Sequence, residues 1–280
     1  MGSLKRQQTA FGRFGASPAV GALSLCLLLA ACGPGGSDWR QSQAPAQPSP
    51  EETGYLRPPQ LISAARGLDG SVILKGRSDP QVRVRLSTPD NILYGATARD
   101  NGDWSITTPP VAGVREFGLA EDLGGRVVQG EGYVAVLPGP GPAVALLRAG
   151  GGTVVLSAAS TAPRITAVDF DASGAAVVSG IAAPTTPVRL FIDTIASGAA
   201  RIGGNGRFAI SAPTPLKPGD HDIRIDSPTA TTSTKITVGT IQSIVGLPYH
   251  GQRLSTGWRI DWVTAGGGVQ TTLIIDSAEP

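Results

Sequence analysis

The chain of 280 residues contains only two cysteines, two histidines and one methionine. Cys26 lies in an apolar run near the start, and Cys32 follows directly after that run. Beyond residue 32 there is no thiol for a disulfide, a thiolate metal site or a cysteine nucleophile. The two histidines, His221 and His250, have no Gly-x-Ser-x-Gly elbow to complete a triad and too few companions for a zinc site. His250 lies in a Pro-Tyr-His-Gly segment that is predicted to be a turn. We therefore expect a protein that is not an enzyme and needs no cofactor or metal.

An excess of charge is also missing. The 23 basic and 21 acidic residues leave a net charge of +2, and three of the basic residues, Lys5, Arg6 and Arg13, precede residue 32. The remaining chain is near neutral, which argues against a nucleic-acid partner because such a partner requires a concentrated cationic face. Helical periodicity is scarce, and short Val/Ile/Thr runs lie between Gly, Pro, Asn and Asp. This pattern predicts an all-β fold.

The start of the chain has the layout of a secretory signal, with basic residues first and then the apolar run Val20–Ala31. The run is too short for a membrane span of roughly 20 residues. Its end, Leu29-Ala30-Ala31-Cys32, resembles the lipobox of bacterial lipoproteins. The resemblance implies that residues 1–31 are a signal peptide, that Leu29, Ala30 and Ala31 are recognised by the signal peptidase, and that Cys32 is lipidated. The alternative is a plain signal, or an uncut anchor, with a chance cysteine.

Residues 32–58 are rich in Gly, Pro, Ser and Gln and have little to bury. They are predicted to form a disordered, lipid-anchored linker with a reach of roughly 30 Å. Gly33, rather than Asp, follows the cysteine, and the lipoprotein resemblance then implies sorting to the outer membrane of a Gram-negative host. We expect the chain to face the periplasm there, although Gly33 itself does not distinguish the periplasm from the exterior.

An internal repeat occupies most of the remaining chain. Gly76–Pro80 matches Gly180–Pro184, and Asn101-Gly102 matches Asn205-Gly206, always at a separation of 104 positions. One constant offset over some fifty residues indicates two homologous units, at 59–136 and 163–238. Each unit reads as seven short antiparallel strands, the number typical of an Ig-like sandwich.

These motifs resemble those of bacterial immunoglobulin-like domains, in which a Gly-x-Ala-x-Pro turn precedes a Val-x-Val strand. Here the turn is Gly180-Ile-Ala-Ala-Pro184, but Gln81 and Thr185 stand where the family has a glycine after the proline. The resemblance implies two tandem Ig-like β-sandwiches in the role of spacers or adhesive modules, and it implies no chemistry.

Each unit is followed by the same pattern, at 142–157 and 257–275. The pattern consists of an apolar strand, then Ala-Gly-Gly-Gly, then a Val/Thr/Leu strand. Each sandwich is therefore predicted to carry a β-hairpin, with domains at 59–157 and 158–280. In the second hairpin Trp258, Ile260 and Trp262 share one face. That face is a candidate binding surface. Alternatively, it covers the end of its own sandwich, since an isolated hairpin needs something to pack against.

Two acidic segments, Asp100–Asp103 and Asp169–Asp171, could offer oxygen ligands to calcium. Each is equally ordinary turn chemistry, because Asp and Asn bond to their own backbone. We therefore expect no bound metal ion at either segment.

The sequence as a whole predicts a non-enzymatic lipoprotein of the cell envelope. Its expected partners are the membrane, through the lipid on Cys32, and a protein within an envelope assembly in which it has a structural or scaffolding role. A module that binds peptidoglycan or another envelope polysaccharide is the alternative, with the tryptophans of the second hairpin stacked on sugar rings.

Overall fold

This protein consists of strands in which buried apolar residues alternate with polar ones. In the first unit Val82, Val84 and Leu86 are buried while Arg83 is exposed, the period-two pattern of a half-buried strand. The computed structural model describes residues 56–156, 162–241 and 244–276. The signal sequence, Cys32 and the linker up to residue 55 lie outside the described residues, as does the join between the predicted domains at 157–161.

The described residues contain nineteen strands and form an all-β fold. The strands of the first module are β1 (Gln60–Arg66), β2 (Val72–Arg77), β3 (Arg83–Ser87), β4 (Leu93–Thr97), β5 (Asp103–Thr108), β6 (Arg115–Leu123), β7 (Arg126–Val136), β8 (Val144–Leu147) and β9 (Val154–Val155). Those of the second module are β10 (Arg164–Asp171), β11 (Ala176–Ile181), β12 (Pro187–Ile192), β13 (Ile195–Arg201), β14 (Arg207–Ser211), β15 (Gly219–Asp226), β16 (Thr231–Val238), β17 (Tyr249–Leu254), β18 (Gly257–Val263) and β19 (Val269–Ile275).

Four antiparallel sheets are formed, two in each module. Sheet 1 has the order β1-β2-β5, and sheet 2 has the order β4-β3-β6-β7-β8-β9. Sheet 3 has the order β14-β11-β10-β19-β18-β17, and sheet 4 has the order β13-β12-β15-β16. Seven strands of each module thus form a sandwich of three strands against four, and this confirms the prediction of two tandem Ig-like sandwiches.

The strand register shows the repeat residue by residue. In β1 and β2, Gln60 pairs with Arg77 and the register shifts after Leu61. In β10 and β11, Arg164 pairs with Ile181 and the register shifts after Ile165. The same bulge therefore recurs 104 positions later.

The turn between the second and third strands of each module has a left-handed residue directly after its proline. Gln81 has a φ of 61° and Thr185 a φ of 65°. This left-handed region suits glycine and is costly for a β-branched residue. Both turns therefore adopt a conformation that favours glycine, at the position where the sequence resemblance expects one.

The two hairpins attach to opposite sheets. Strands β8 and β9 extend sheet 2 by pairing with β7, whereas β19 and β18 extend sheet 3 by pairing with β10. The second hairpin has an additional strand, β17, in a segment around His250 that the sequence predicts as a turn. Pro248 and Gly251 favour a turn locally, but pairing with β18, with Tyr249 opposite Trp262, holds the segment extended.

The described residues form three hydrophobic cores. One lies between sheets 1 and 2 and includes Trp104 and Phe117, and another lies between sheets 3 and 4 and includes Phe170 and Phe208. The third, which we call the junction core, lies between the hairpin-extended parts of sheets 2 and 3. It consists of Ala135, Leu137, Ala145, Leu147, Val155, Ala167, Tyr249, Ile260, Trp262 and Ile274.

Candidate interaction site at the junction of the modules

The junction core forms because the hairpin-extended parts of sheets 2 and 3 have two apolar faces. In β7 and β8, Val134 and Val144 face the core of the first sandwich, while Ala135 and Ala145 face the junction core. In β19, Leu273 faces the core of the second sandwich and Ile274 faces the junction core. Alternating side chains of one strand thus serve two cores, and the hairpins join the modules.

The face formed by Trp258, Ile260 and Trp262 packs into this core. Ile260 is 0% exposed and Trp262 is 1% exposed, while Trp258 is partly buried against the same cluster. The ring of Trp262 packs edge to face on the ring of Tyr133, which belongs to the first module, and the two ring centroids lie 5.9 Å apart. The three residues do share one face, but it is not a free surface for a partner or a sugar. The hairpin covers the neighbouring module rather than the end of its own sandwich.

Two glycines allow the sheets to come close together. A Cβ on Gly152 would lie 2.5 Å from Ser179 Oγ and 2.9 Å from Val177 Cγ1, both on β11. A Cβ on Gly251 would lie 2.4 Å from Val114 Cγ2. Neither position accommodates a side chain without movement, since real Cβ atoms do not approach neighbours this closely. The close approach at the first hairpin is further held by Arg207, which donates to the carbonyl of Val155 at 2.8 Å.

A buried polar network beside the junction core centres on Asp169. Its carboxylate accepts hydrogen bonds from the backbone N–H of Thr153 at 2.7 Å, from the Thr153 hydroxyl at 2.6 Å and from the Thr272 hydroxyl at 2.6 Å. Gln270 donates to it at 3.3 Å, and Trp262 Nε1 donates to Thr272 at 3.1 Å. Burial raises the pKa of Asp169, and these hydrogen bonds oppose the rise. Thr153 belongs to the first hairpin, so the network joins the two modules in one register.

Glu116 is a second buried acid on the junction side. It pairs with Ala135 across β6 and β7, and its side chain is 3% exposed. Burial raises its pKa to about 8, and its Oε2 has no hydrogen-bond partner among the described residues. At neutral pH this carboxyl is therefore largely protonated.

The catalytic and metal candidates are not brought together. His221 Nδ1 lies 2.6 Å from an Asp193 oxygen and Nε2 lies 2.8 Å from the Lys217 carbonyl, so both nitrogens are occupied by acceptors. Asp171 binds the turn at Ser173, as ordinary turn chemistry predicts. In the described parts of the chain, no group of three or more His, Cys, Asp or Glu is placed to hold a metal ion.

The described ranges contain no helix that is long and apolar enough to cross a membrane.

No family model and no curated protein matches the chain. Among solved structures it is similar to the BSP domain of a biofilm-associated protein, at 17% identity over 66% of this chain and 30% of that one, with a TM-score of 0.24. It is also similar to the central fibronectin-III array of RIM-binding protein, at 11% identity over 79% of this chain and 89% of that one, with a TM-score of 0.25. A third similar structure is a Ca²⁺-stabilised adhesin with which an Antarctic bacterium binds ice, at 14% identity over 74% of this chain and 61% of that one, with a TM-score of 0.19. The chain thus spans less than a third of the first of these structures.

Sequence reasoning missed the junction residues, although the repeat contains a signal for them. At the offset of 104, Asp169 corresponds to Ala65, and the strand pairing agrees, because Asp169 lies opposite Val177 and Ala65 lies opposite Ile73. Ala65 lies on an exposed face, whereas Asp169 is buried beside the junction. Positions at which the two units differ in polarity therefore mark the faces that are buried in only one of them.

Proposed function

We propose that this protein is a non-enzymatic, lipid-anchored component of a cell envelope, in which the two joined modules act as one structural or protein-interaction element. The observation that supports this proposal is the junction core, with its ten buried residues. Domains joined only by a linker move relative to each other unless their interface is large and hydrophobic. Here Trp262, Ile260 and the Asp169 network oppose such movement.

A stiff two-module element is useful where a surface must be presented at a set position. The proposed lipid on Cys32 supplies the membrane attachment, and the linker to residue 58 supplies a reach of roughly 30 Å. By the sorting rule of the lipoproteins that the lipobox resembles, Gly33 favours the outer membrane. Within this proposal the modules face the periplasm.

Labelling with palmitate tests the anchor. Wild type and Cys26→Ser should incorporate the label, and Cys32→Ser should not, because only Cys32 follows the Leu-Ala-Ala segment. Cys26→Ser is the matched control, since it removes the other thiol of the chain. Equal labelling of Cys32→Ser and wild type would rule out lipidation at this residue.

Spin labels test whether the modules move together. The full chain with both cysteines changed to serine has no thiol, so labels at Arg99→Cys and Lys217→Cys, both exposed positions, report one distance between the modules. We expect a distance distribution as narrow as that of a control pair within the first module, at Arg99→Cys and Arg126→Cys. A much broader distribution between the modules would show an articulated chain and contradict the proposal.

A further inference from the structure

A groove of about 1140 Å³ lies where the two modules meet. It runs past the end of β1, the loop between β7 and β8, the start of β10, the middle of β16 and the turn between β17 and β18. Ligand sites are commonly clefts of roughly 300–1,000 Å³, so the groove has room for a ligand of two or three sugar units. The charged and hydroxyl-bearing side chains of its lining include Arg66, Arg164, Arg253, Ser233, Thr256 and Asp276.

The three arginines of the groove differ in their partners. Arg253 forms an ion pair with Asp276 at 2.6 Å, and Arg66 donates to the carbonyl of Leu137 at 2.7 Å. The Nε atoms of Arg66 and Arg164 are buried and have no hydrogen-bond partner among the described residues. Burying a donor without a partner is costly, and the cost is recovered when an acceptor reaches it. The groove thus holds a positive charge that the neighbouring acid, Asp276, does not balance.

Hydroxyl side chains also line the groove, beside apolar residues such as Leu156 and Ile165. Ser233, Ser255 and Thr256 are exposed, and Thr232 and Thr234 are half-buried. Oδ1 of Asp276 is buried and has no partner among the described residues, so it is an acceptor without a donor. A neutral sugar hydroxyl can donate to this carboxylate, whereas a sulfate ion has no donor for it.

We propose that this groove binds an acidic oligosaccharide, with a sugar carboxylate on Arg164 and Arg66 and sugar hydroxyls on Asp276 and on the Ser and Thr side chains. A guanidinium and a carboxylate form strong, charge-assisted hydrogen bonds in a planar pair. The inference goes beyond the proposed function and does not depend on lipidation of Cys32. It also differs from stacking of sugars on the hairpin tryptophans, since Ile260 and Trp262 are buried.

Titration calorimetry with trigalacturonic acid tests the proposal on the full chain with Cys32→Ser, so that lipidation has no part in the result. The fully methyl-esterified trisaccharide is the matched neutral ligand. We expect the acid to bind and the ester to bind at least tenfold more weakly. Arg164→Gln should weaken binding of the acid by tenfold or more, while Arg189→Gln, an exposed arginine on β12, should leave it unchanged.

Thr256→Val provides a second variant in case Arg164→Gln does not fold, which thermal unfolding will show. Its side chain is exposed in the turn between β17 and β18, and we expect severalfold weaker binding. The proposal is overturned if wild type does not bind the acid, if the ester binds equally well, or if Arg164→Gln, or the folded Thr256→Val, binds like wild type. Inorganic phosphate that binds as tightly as the trisaccharide would show a site for a free anion and would also overturn it.

Discussion

Glu116 and Asp222 occupy the same position in the two modules, since Leu119 pairs with Leu86 and Ile225 pairs with Leu190, but only Glu116 is buried. Asp222 faces solvent on the outer side of sheet 4, where it lies opposite Lys235 of β16. Glu116 lies on the corresponding side of sheet 2, which the second module covers. The difference between the two acids is thus caused by the contact between the modules and not by their local sequence.

The buried acid makes stability depend on pH. The folded protein keeps a proton on Glu116 up to a pKa of about 8, while the unfolded chain releases it near the ordinary value of 4.5. The free energy of unfolding therefore falls as the pH rises between these values, by at most about 1.4 kcal/mol per pH unit, and then levels off. Glu116→Gln should remove this part of the pH dependence. Denaturant unfolding of wild type and Glu116→Gln at pH 5, 7 and 9 measures it, and parallel pH profiles would contradict the assignment. Asp222→Asn, at the exposed equivalent, should follow wild type.

Trp262→Ala should strongly weaken the junction. Removal of a fully buried aromatic side chain costs about 3–5 kcal/mol, because it loses buried area and leaves a cavity. Chemical denaturation followed by circular dichroism measures the loss, which should be smaller for the half-buried Trp258→Ala. An equal loss in the free energy of unfolding for the two variants would mean that Trp262 does not contribute more than Trp258 to the stability of the junction core.

Asp169→Asn should destabilise the protein by about 1–3 kcal/mol. Each donor around this carboxylate needs an acceptor, and the amide puts a donor in place of one oxygen, leaving a buried clash or an unpaired group. The backbone N–H of Thr153, which now donates to Asp169 at 2.7 Å, should exchange faster with deuterated solvent. Asp171→Asn, two residues along in an exposed turn, is the control and should leave the exchange of Thr153 unchanged. Unchanged exchange in Asp169→Asn as well would mean that the network does not hold the first hairpin.

Thr185→Gly should stabilise the protein, unlike most glycine substitutions. A left-handed conformation costs a non-glycine residue roughly 1–2 kcal/mol, and glycine lowers that cost but gains freedom in the unfolded chain. We expect a net gain of about 0.5–1 kcal/mol in thermal unfolding. Thr186→Gly, at the next position, has no positive φ to relieve and should destabilise. A loss of stability in both variants would contradict the strain at Thr185.

The sandwiches could be predicted from the sequence because their determinants are local. Val84 and Leu86 alternate with arginines, and Asn101-Gly102 and Asn205-Gly206 mark hairpin turns, so strand positions and turns follow from neighbouring residues. The constant offset of 104 positions then extended the prediction of a sandwich from the first unit to the second. Strand β17 was missed for the same reason, because Pro248 and Gly251 give a local turn signal that pairing with a distant strand overrides.

The junction could not be predicted in this way. Trp258, Ile260 and Trp262 were correctly placed on one face, but an apolar face is the same in sequence whether it meets a partner, its own sandwich or the next module. The choice depends on the packing of sheet 2 against sheet 3, a contact between distant parts of the chain. The hairpins also attach to opposite sheets although their sequences are alike, and no local pattern distinguishes the two attachments.

The opposite attachment of the hairpins makes the contact between the modules heterologous, since each module contributes a different surface. The outer faces of sheets 1 and 4, which correspond to the two joined faces, carry Ser63, Lys75, Lys235 and Thr237. These polar residues do not reproduce either half of the junction. Two copies of the chain therefore cannot polymerise end to end through this contact, although the chain is built from repeats.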